Sequence, residues 1–377
     1  MNITHTHSPR VVPSTDPRDP EWDAWVARHP QPHPEQSSGW GDAQRIRGWE
    51  PCRWTLREGD RLLGGVQVLV RPAPRLGHVA YIQRGPLLLE EAAHLAPLLL
   101  QTLRTAAAQR RWAYLSMVLP YQGGPSEAAL RAAGYFPQPA LLPPQTSEAA
   151  TLVVDLTPPE EEILARMRRT TRRYIRQGQE RGLLIRSGSE SDLDTFGQLM
   201  LALCARRGVR SNIPAGEFLH RVWQAFHPGG HIRLFLAQHD ARPIAGLIVL
   251  ALGTWARAWR IGWSGEAPDL RPNESLYWAA MRWARESGHR HFDFMGFETN
   301  LARALAEGRQ PSPSSLSSLA QFKLGLGGIP MVLRPFQCRF FHPLVQLLLR
   351  AGGHRLLDWP PLRRLLPRRL LAGAHAG

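Results

Sequence analysis

Residues 53–70, RWTLREGDRLLGGVQVLV, are two runs of strand-forming residues around a Glu58-Gly59-Asp60 turn, and residues 232–252, IRLFLAQHDARPIAGLIVLAL, repeat that build. The likeness continues downstream. A strand at 78–83, a helix at about 90–110 and a strand at 112–118 in the first half answer to a strand at 255–263, a helix at about 274–286 and a strand at 291–294 in the second. The helix-to-strand joins, AAAQRRWAYLSM and WARESGHRHFDFMG, are alike in character. One α/β unit of roughly 150 residues used twice constrains the fold more than any other feature. It predicts two tandem domains, each a mixed sheet flanked by helices. The expected organisation is a loose, Pro- and Asp-rich arm at 1–20, a first domain at 21–150, a second at 151–340 and a basic helical tail at 341–377.

Charge narrows the partners. The net +15 is spread as +2 over residues 1–150, +8 over 151–340 and +5 over 341–377, so the excess lies in the second half and the tail. That placement suits a polyanion such as RNA or an anionic membrane surface. The three cysteines, Cys52, Cys204 and Cys338, are far apart and form no CxxC or Cys/His cluster, so neither a metal nor a disulfide framework is indicated. The N-terminal stretch has no apolar run of a signal peptide, and no run reaches the ~20 residues of a membrane span. A cytoplasmic chain, peripheral on a membrane at most, is expected.

Residues 151–186, TLVVDLTPPEEEILARMRRTTRRYIRQGQERGLLIR, are the most informative stretch. They predict a strand, then one helix capped by Thr157 with Pro158 at its first position and Glu160 closing a capping box, ending at Gly182. Ile163, Met167, Thr170 and Tyr174 would form its buried stripe. Arg166, Arg168, Arg169, Arg172, Arg173 and Arg176 crowd the rest, with no acid between Glu162 and Glu180 to relieve them. Such a face reads as a highly charged solvated surface or as a phosphate-binding one.

Five segments in register carry a family resemblance. They are Gln36-Ser37-Ser38-Gly39-Trp40-Gly41 with Gly48-Trp49; Tyr81-Ile82-Gln83-Arg84-Gly85-Pro86; Asp155-Leu156 with Met167, Thr171-Arg172, Ile175-Arg176 and Gly182; His291-Phe292-Asp293-Phe294-Met295-Gly296; and Gln321-Phe322-Lys323 with Gly325 and Gly327-Gly328. Over about residues 35–340 the chain resembles the FemABX peptidoglycan bridge-forming aminoacyltransferases, and the order hairpin, strand, helix, strand resembles a GNAT-type acyltransferase core. The resemblance implies transfer of an amino acid from aminoacyl-tRNA to an amine of a peptidoglycan precursor, lipid-linked or nucleotide-linked. It implies tRNA contacts at Arg168, Arg169, Arg172, Arg173 and Arg176, and precursor contacts at Trp40, Arg45, Arg84 and Arg210. The chain departs from the family where Gln44 precedes Arg45 at a commonly basic position, and where Phe218 stands near a common Tyr.

The residues themselves suit transfer without covalent catalysis. No GxSxG elbow is present. Lys323 is the only lysine against 45 arginines, so it marks a task for a compact ammonium, such as stabilising developing negative charge. Phe322 could stack on a terminal adenine. Asp293, at a strand end, could accept the amine's proton or be structural. No metal or nucleotide cofactor is implied, because Gly325, Gly327 and Gly328 lead into an extended segment rather than opening a helix on a diphosphate. The tail alternates leucine clusters with arginines and suits an anionic membrane interface or packing on the second domain. The competing functions are an acyl-CoA N-acyltransferase, a transferase acting on protein N-termini, and a non-enzymatic RNA binder.

Overall fold

The computed structural model describes residues 8–74, 77–138, 149–209, 211, 216–309, 311–312 and 316–342. Its elements, in chain order, begin with β1 (Arg10–Ser14), α1 (Pro20–Arg28), α2 (Ser38–Gln44), β2 (Glu50–Glu58), β3 (Arg61–Ala73), β4 (Gly77–Ile82), β5 (Leu87–Leu88), α3 (Ala96–Gln109), β6 (Trp112–Met117), α4 (Glu127–Ala132) and β7 (Phe136–Pro137). There follow β8 (Ala150–Asp155), α5 (Glu160–Arg166), α6 (Arg169–Glu180), β9 (Leu184–Ser187), α7 (Leu193–Arg206), α8 (Glu217–Phe226), β10 (Ile232–His239), β11 (Arg242–Leu252) and β12 (Trp255–Trp263). The remainder are α9 (Pro272–Glu286), β13 (His291–Asp293), α10 (Thr299–Ala306), α11 (Ser318–Gly325), β14 (Ile329–Val332) and β15 (Gln337–Phe340). They form two compact units, divided at Ser147/Glu148, with the chain from Arg334 returning to the first.

The duplication is present as topology. The first unit's sheet runs β1-β2-β3-β4-β6-β15-β7, with β5 on β3; the second runs β14-β8-β13-β12-β11-β10-β9. In each, three antiparallel strands (β2-β3-β4, β10-β11-β12) are followed by a helix (α3, α9) and a strand parallel to the third (β6 on β4, β13 on β12). A parallel neighbour needs a crossover long enough to return along the sheet, and α3 and α9 supply it. Both units carry the fold of GNAT-type acyltransferases in tandem.

The cores follow the strand faces. In the first, Leu56, Val66, Val68, Ile82, Leu99, Leu103, Leu115 and Met117 are fully buried; in the second, Leu152, Leu247, Val249, Leu276 and Phe292 are. Each contributes about 1.5–3 kcal/mol of burial. Among the described residues, no helix is long and apolar enough to cross a membrane.

Two expected boundaries are corrected. The stretch 1–20 is not a loose arm throughout: Val11 pairs with Leu56 and Val12 with Thr55 on the edge of the first sheet. Asp19 then caps α1, whose Trp22 is fully buried and donates its indole N–H to the Gln36 carbonyl at 2.7 Å. Nor does the second unit extend to residue 340. β15 lies between β6 and β7 in the first sheet, with Cys338 fully buried there. β1 takes a sheet edge and β15 an interior position between two strands, both through partners that local sequence did not reveal. The tail beyond His342 lies outside the described residues.

Candidate functional site

In the second unit the site is built on the end of β13. Asp293 is fully buried, paired in register with Arg257 of β12. Its Oδ1 accepts from the Thr151 hydroxyl at 2.5 Å and the Met295 amide at 2.8 Å, and its Oδ2 lies 3.9 Å from Nε of buried Arg257. The chain then turns through left-handed backbone at Met295 (φ 53°) and Gly296 (φ 62°). For a methionine that conformation costs about 1–2 kcal/mol and persists only when neighbours hold it.

Lys323 on α11 holds it. The buried ammonium donates to the carbonyls of Phe294 (3.1 Å), Met295 and Gly296 (2.6 Å). Three diverging donors on one small cation meet three carbonyls that converge on it; a flat guanidinium could not follow that arrangement. The sole lysine is therefore explained by the shape of a backbone turn. Toward a substrate, Lys323 offers its field, since its donors are aimed at backbone carbonyls. Phe322, its neighbour, is half-buried with its ring edge-on to Tyr277 at 5.3 Å. Burial raises the Tyr277 phenol above its ordinary range. The structure thus brings Asp293, Phe322 and Lys323 to one turn.

The arginine-rich segment is two helices rather than one. Met167 and Arg168 are extended (ψ 152° and 144°), separating α5 from α6. Thr157 does not cap: its amide and hydroxyl both donate to Asp155, and α5 starts after Pro159 without a side-chain cap. The break resets the helical frame, so the buried residues are Ile163, Met167, Thr171, Ile175 and Gly178, and Thr170 is exposed and Tyr174 half-buried. Gly182 (φ 82°) follows the end of α6 as expected. The Arg168 amide donates to the Gly325 carbonyl at 2.9 Å, and a Cβ on Gly325 would come within 2.8 Å of the Thr171 hydroxyl. That glycine serves the close approach of α11 to α6.

The five expected tRNA-contacting arginines separate by their bonds. Arg172 folds back, its Nη1 donating to the carbonyls of Leu164 (3.2 Å), Ala165 (2.9 Å) and Met167 (3.1 Å), the open end of α5. Arg176 lies 3.9 Å from Glu180, and Arg166 at 2.5 Å from Glu162. Among the described residues Arg168, Arg169 and Arg173 form no ion pair, and Arg169, Thr170, Arg172, Arg173 and Arg176 line an open depression of about 680 Å³.

In the first unit, Trp40 is buried and donates its indole N–H to Gln83 at 2.6 Å. Gln36 donates to the Gln83 carbonyl at 2.6 Å and exchanges bonds with the Gln67 backbone, and Arg53 donates to Gln67 at 3.2 Å. Sequence reasoning missed this glutamine network, although Gln36 and Gln83 stand inside two of the five quoted segments. Arg84, next to Gln83, is buried in left-handed backbone (φ 54°) with its guanidinium 4.6 Å over the Tyr121 ring. Arg45 is exposed and 3.7 Å from Asp42. The structure brings Trp40 and Arg84 together through Gln83 and leaves Arg45 on the surface; Arg210 lies outside the described residues.

Residues 17–123 match the model of the FemAB family, and residues 165–303 match that of the Acetyltransferase (GNAT) domain. The chain is 26% identical over 60% of its length to the lipid II:glycine glycyltransferase of Staphylococcus saprophyticus, covering 56% of that protein. It is 25% identical over 59% of its length to the one from Staphylococcus haemolyticus, covering 55%. It thus spans a little over half the length of the curated relatives it matches. Among solved structures, FemX superposes with a TM-score of 0.74 at 19% identity, over 87% of this chain and 97% of FemX. A tandem GNAT protein from the clavulanic acid biosynthesis pathway superposes with a TM-score of 0.53 at 14% identity, over 89% and 99%.

Proposed function

We propose that this chain, which resembles the FemAB family over residues 17–123 and the GNAT acetyltransferase domain over residues 165–303, is an aminoacyltransferase that moves an amino acid from aminoacyl-tRNA to a stem-peptide amine of a peptidoglycan precursor. The observation that carries the reading is the junction of α6 with α11: a helix carrying Arg169 and Arg173, which with Arg168 form no ion pair among the described residues, begins at the Gly325 carbonyl, two residues from Lys323. A polyanion lying along α6 would bring its end to the turn at Phe294–Gly296.

The reaction needs positioning more than a reactive side chain. The amine nitrogen attacks the ester carbonyl carbon, the C–N bond forms, and the C–O bond to the ribose breaks. The ribose oxygen leaves with the proton that the amine gives up. Lys323 contributes positive potential near the developing oxyanion while holding the turn. Asp293 acts through the turn, since its oxygens face Thr151 and Met295. Trp40 and Arg84, with Arg45 and Arg210, are assigned to the precursor side. The relatives' named acceptor, lipid II, supports a membrane-linked precursor, and the basic residues 341–377 would favour peripheral contact with an anionic membrane.

An acyl-CoA N-acyltransferase is the second reading, favoured by the GNAT domain match. Against it, the turn from β12 into α9, where helix amides could meet a diphosphate, carries Glu266, Asp269 and Glu274. The test is single-turnover transfer with labelled aminoacyl-tRNAs and isolated lipid-linked or nucleotide-linked precursor. Label in the precursor supports the reading. No transfer to either acceptor, with thermal stabilisation by CoA, would move the assignment to acyl-CoA chemistry.

A further inference from the structure

Tyr174 is one residue from the buried stripe of α6, and its surroundings are unusual for a surface tyrosine. α6 crosses α9 at Gly178, where a Cβ would stand 3.0 Å from the Leu270 carbonyl and 3.1 Å from the Ser275 hydroxyl. A Cβ there would be tighter than ordinary packing, so the glycine eases the seating of the turn before α9 against α6. At the end of that turn Arg271 is left-handed (φ 49°, ψ 53°), and its guanidinium carbon lies 4.7 Å from the Tyr174 ring centroid. Arg173 brings a second guanidinium to 5.4 Å. Two cations from different elements therefore gather at one half-buried ring. Neither guanidinium forms an ion pair among the described residues; Arg271 also places its charge near the carboxyl of Glu274, in the first turn of α9, and Arg173 has no such neighbour on α6 before Glu180.

We propose that Tyr174, Arg173 and Arg271 form a stacking platform for an unpaired nucleobase of an RNA strand running along α6. Flat π and guanidinium surfaces stack on bases that have left a helix, whereas duplex RNA hides its bases and offers phosphates. The surrounding Arg169, Arg173 and Arg176 supply phosphate contacts without sequence preference. An anionic membrane would ask for apolar residues beside the cations, and Tyr174 is the only aromatic on α6. The platform lies six residues from Arg168, about 9 Å along the helix axis, so a single strand ending at the Phe294–Gly296 turn that Lys323 holds would pass over it. This inference rests on the tRNA-donor reading and assigns where the unpaired acceptor strand of that RNA is gripped. Helical spacing alone puts Tyr174 in the buried stripe, and no sequence pattern marks Arg271.

The test measures binding of the full chain to a short RNA hairpin with a single-stranded 3′ overhang, to its blunt-ended counterpart, and to inorganic polyphosphate. Tyr174→Leu keeps apolar bulk without a π face, Tyr174→Phe keeps the face, and Arg271→Lys keeps the charge without the plane. The expected result is that Tyr174→Leu binds the overhang hairpin about tenfold more weakly, with blunt hairpin and polyphosphate unchanged. Tyr174→Phe should bind as wild type, and Arg271→Lys should lose selectivity for the overhang. Equal weakening toward all three ligands, or none toward the overhang, overturns the platform. If the wild-type chain binds neither hairpin better than polyphosphate, the RNA-donor reading itself falls, a result distinguishable from failure of the platform alone.

Discussion

Lys323 and Asp293 both hold the turn at Phe294–Gly296, one by donating to three carbonyls and the other by accepting the Met295 amide. Removing the ammonium leaves carbonyls in a left-handed turn without their donor. Both Lys323→Met and Lys323→Arg should therefore lose roughly 1–3 kcal/mol of stability, seen as a lower melting temperature, and slow single-turnover transfer. A Lys323→Met protein that melts like wild type but transfers slowly would instead favour a direct role at the oxyanion. Asp293→Asn leaves buried Arg257 without its carboxylate and should cost about 3–5 kcal/mol, measured by chemical denaturation. At this scale the sequence marked the right lysine, because it is the only one. It could not name the partners, which lie 27 to 29 residues upstream and meet it only through the fold.

At the scale of elements, the division of the basic segment into α5 and α6 gives neighbouring arginines different tasks. Arg172 closes the end of α5, so Arg172→Ala should lower the melting temperature, by about 1 kcal/mol of stability for an exposed cap. Arg173→Ala should leave melting unchanged and weaken RNA binding with a shallower salt dependence, read from binding at two ionic strengths. Another element end sets a pH dependence. Asp192 precedes α7 and is bonded to Arg186 and to the Ser189 amide, which push its carboxyl down to about 2. Because the folded value is the lower one, this stabilisation is complete above the unfolded value near 4 and disappears as pH falls toward 2. Asp192→Asn should thus cost about 1 kcal/mol at neutral pH and little by pH 2, checked by melting curves across that range. The helix break was hidden in the sequence, since 163, 167, 170 and 174 also satisfy helical spacing. Docking of Arg168 on Gly325 chose the shifted stripe.

For the whole molecule, the return of β15 to the first sheet makes the units unequal. The segment 148–333 contains every strand of its sheet, whereas 1–147 lacks β15 between β6 and β7. Expressed alone, 148–333 should melt cooperatively, while 1–147 should aggregate or fail to fold unless residues 334–342 are supplied, as circular dichroism would show. The duplicated unit, its strand and helix order and the arginine-rich entry to the second half are legible without coordinates, because hydrophobic period and local charge are written in contiguous residues. The resemblance of its five segments was legible for the same reason. It takes the folded chain to make residues 10–14 and 337–340 sheet strands, to turn Arg172 to carbonyls, to set Lys323 on a turn and to bring Arg271 to Tyr174. Each of those depends on hydrogen-bond and packing partners distant in the chain, which closure of the sheets and the crossing of α6 with α9 and α11 alone bring together.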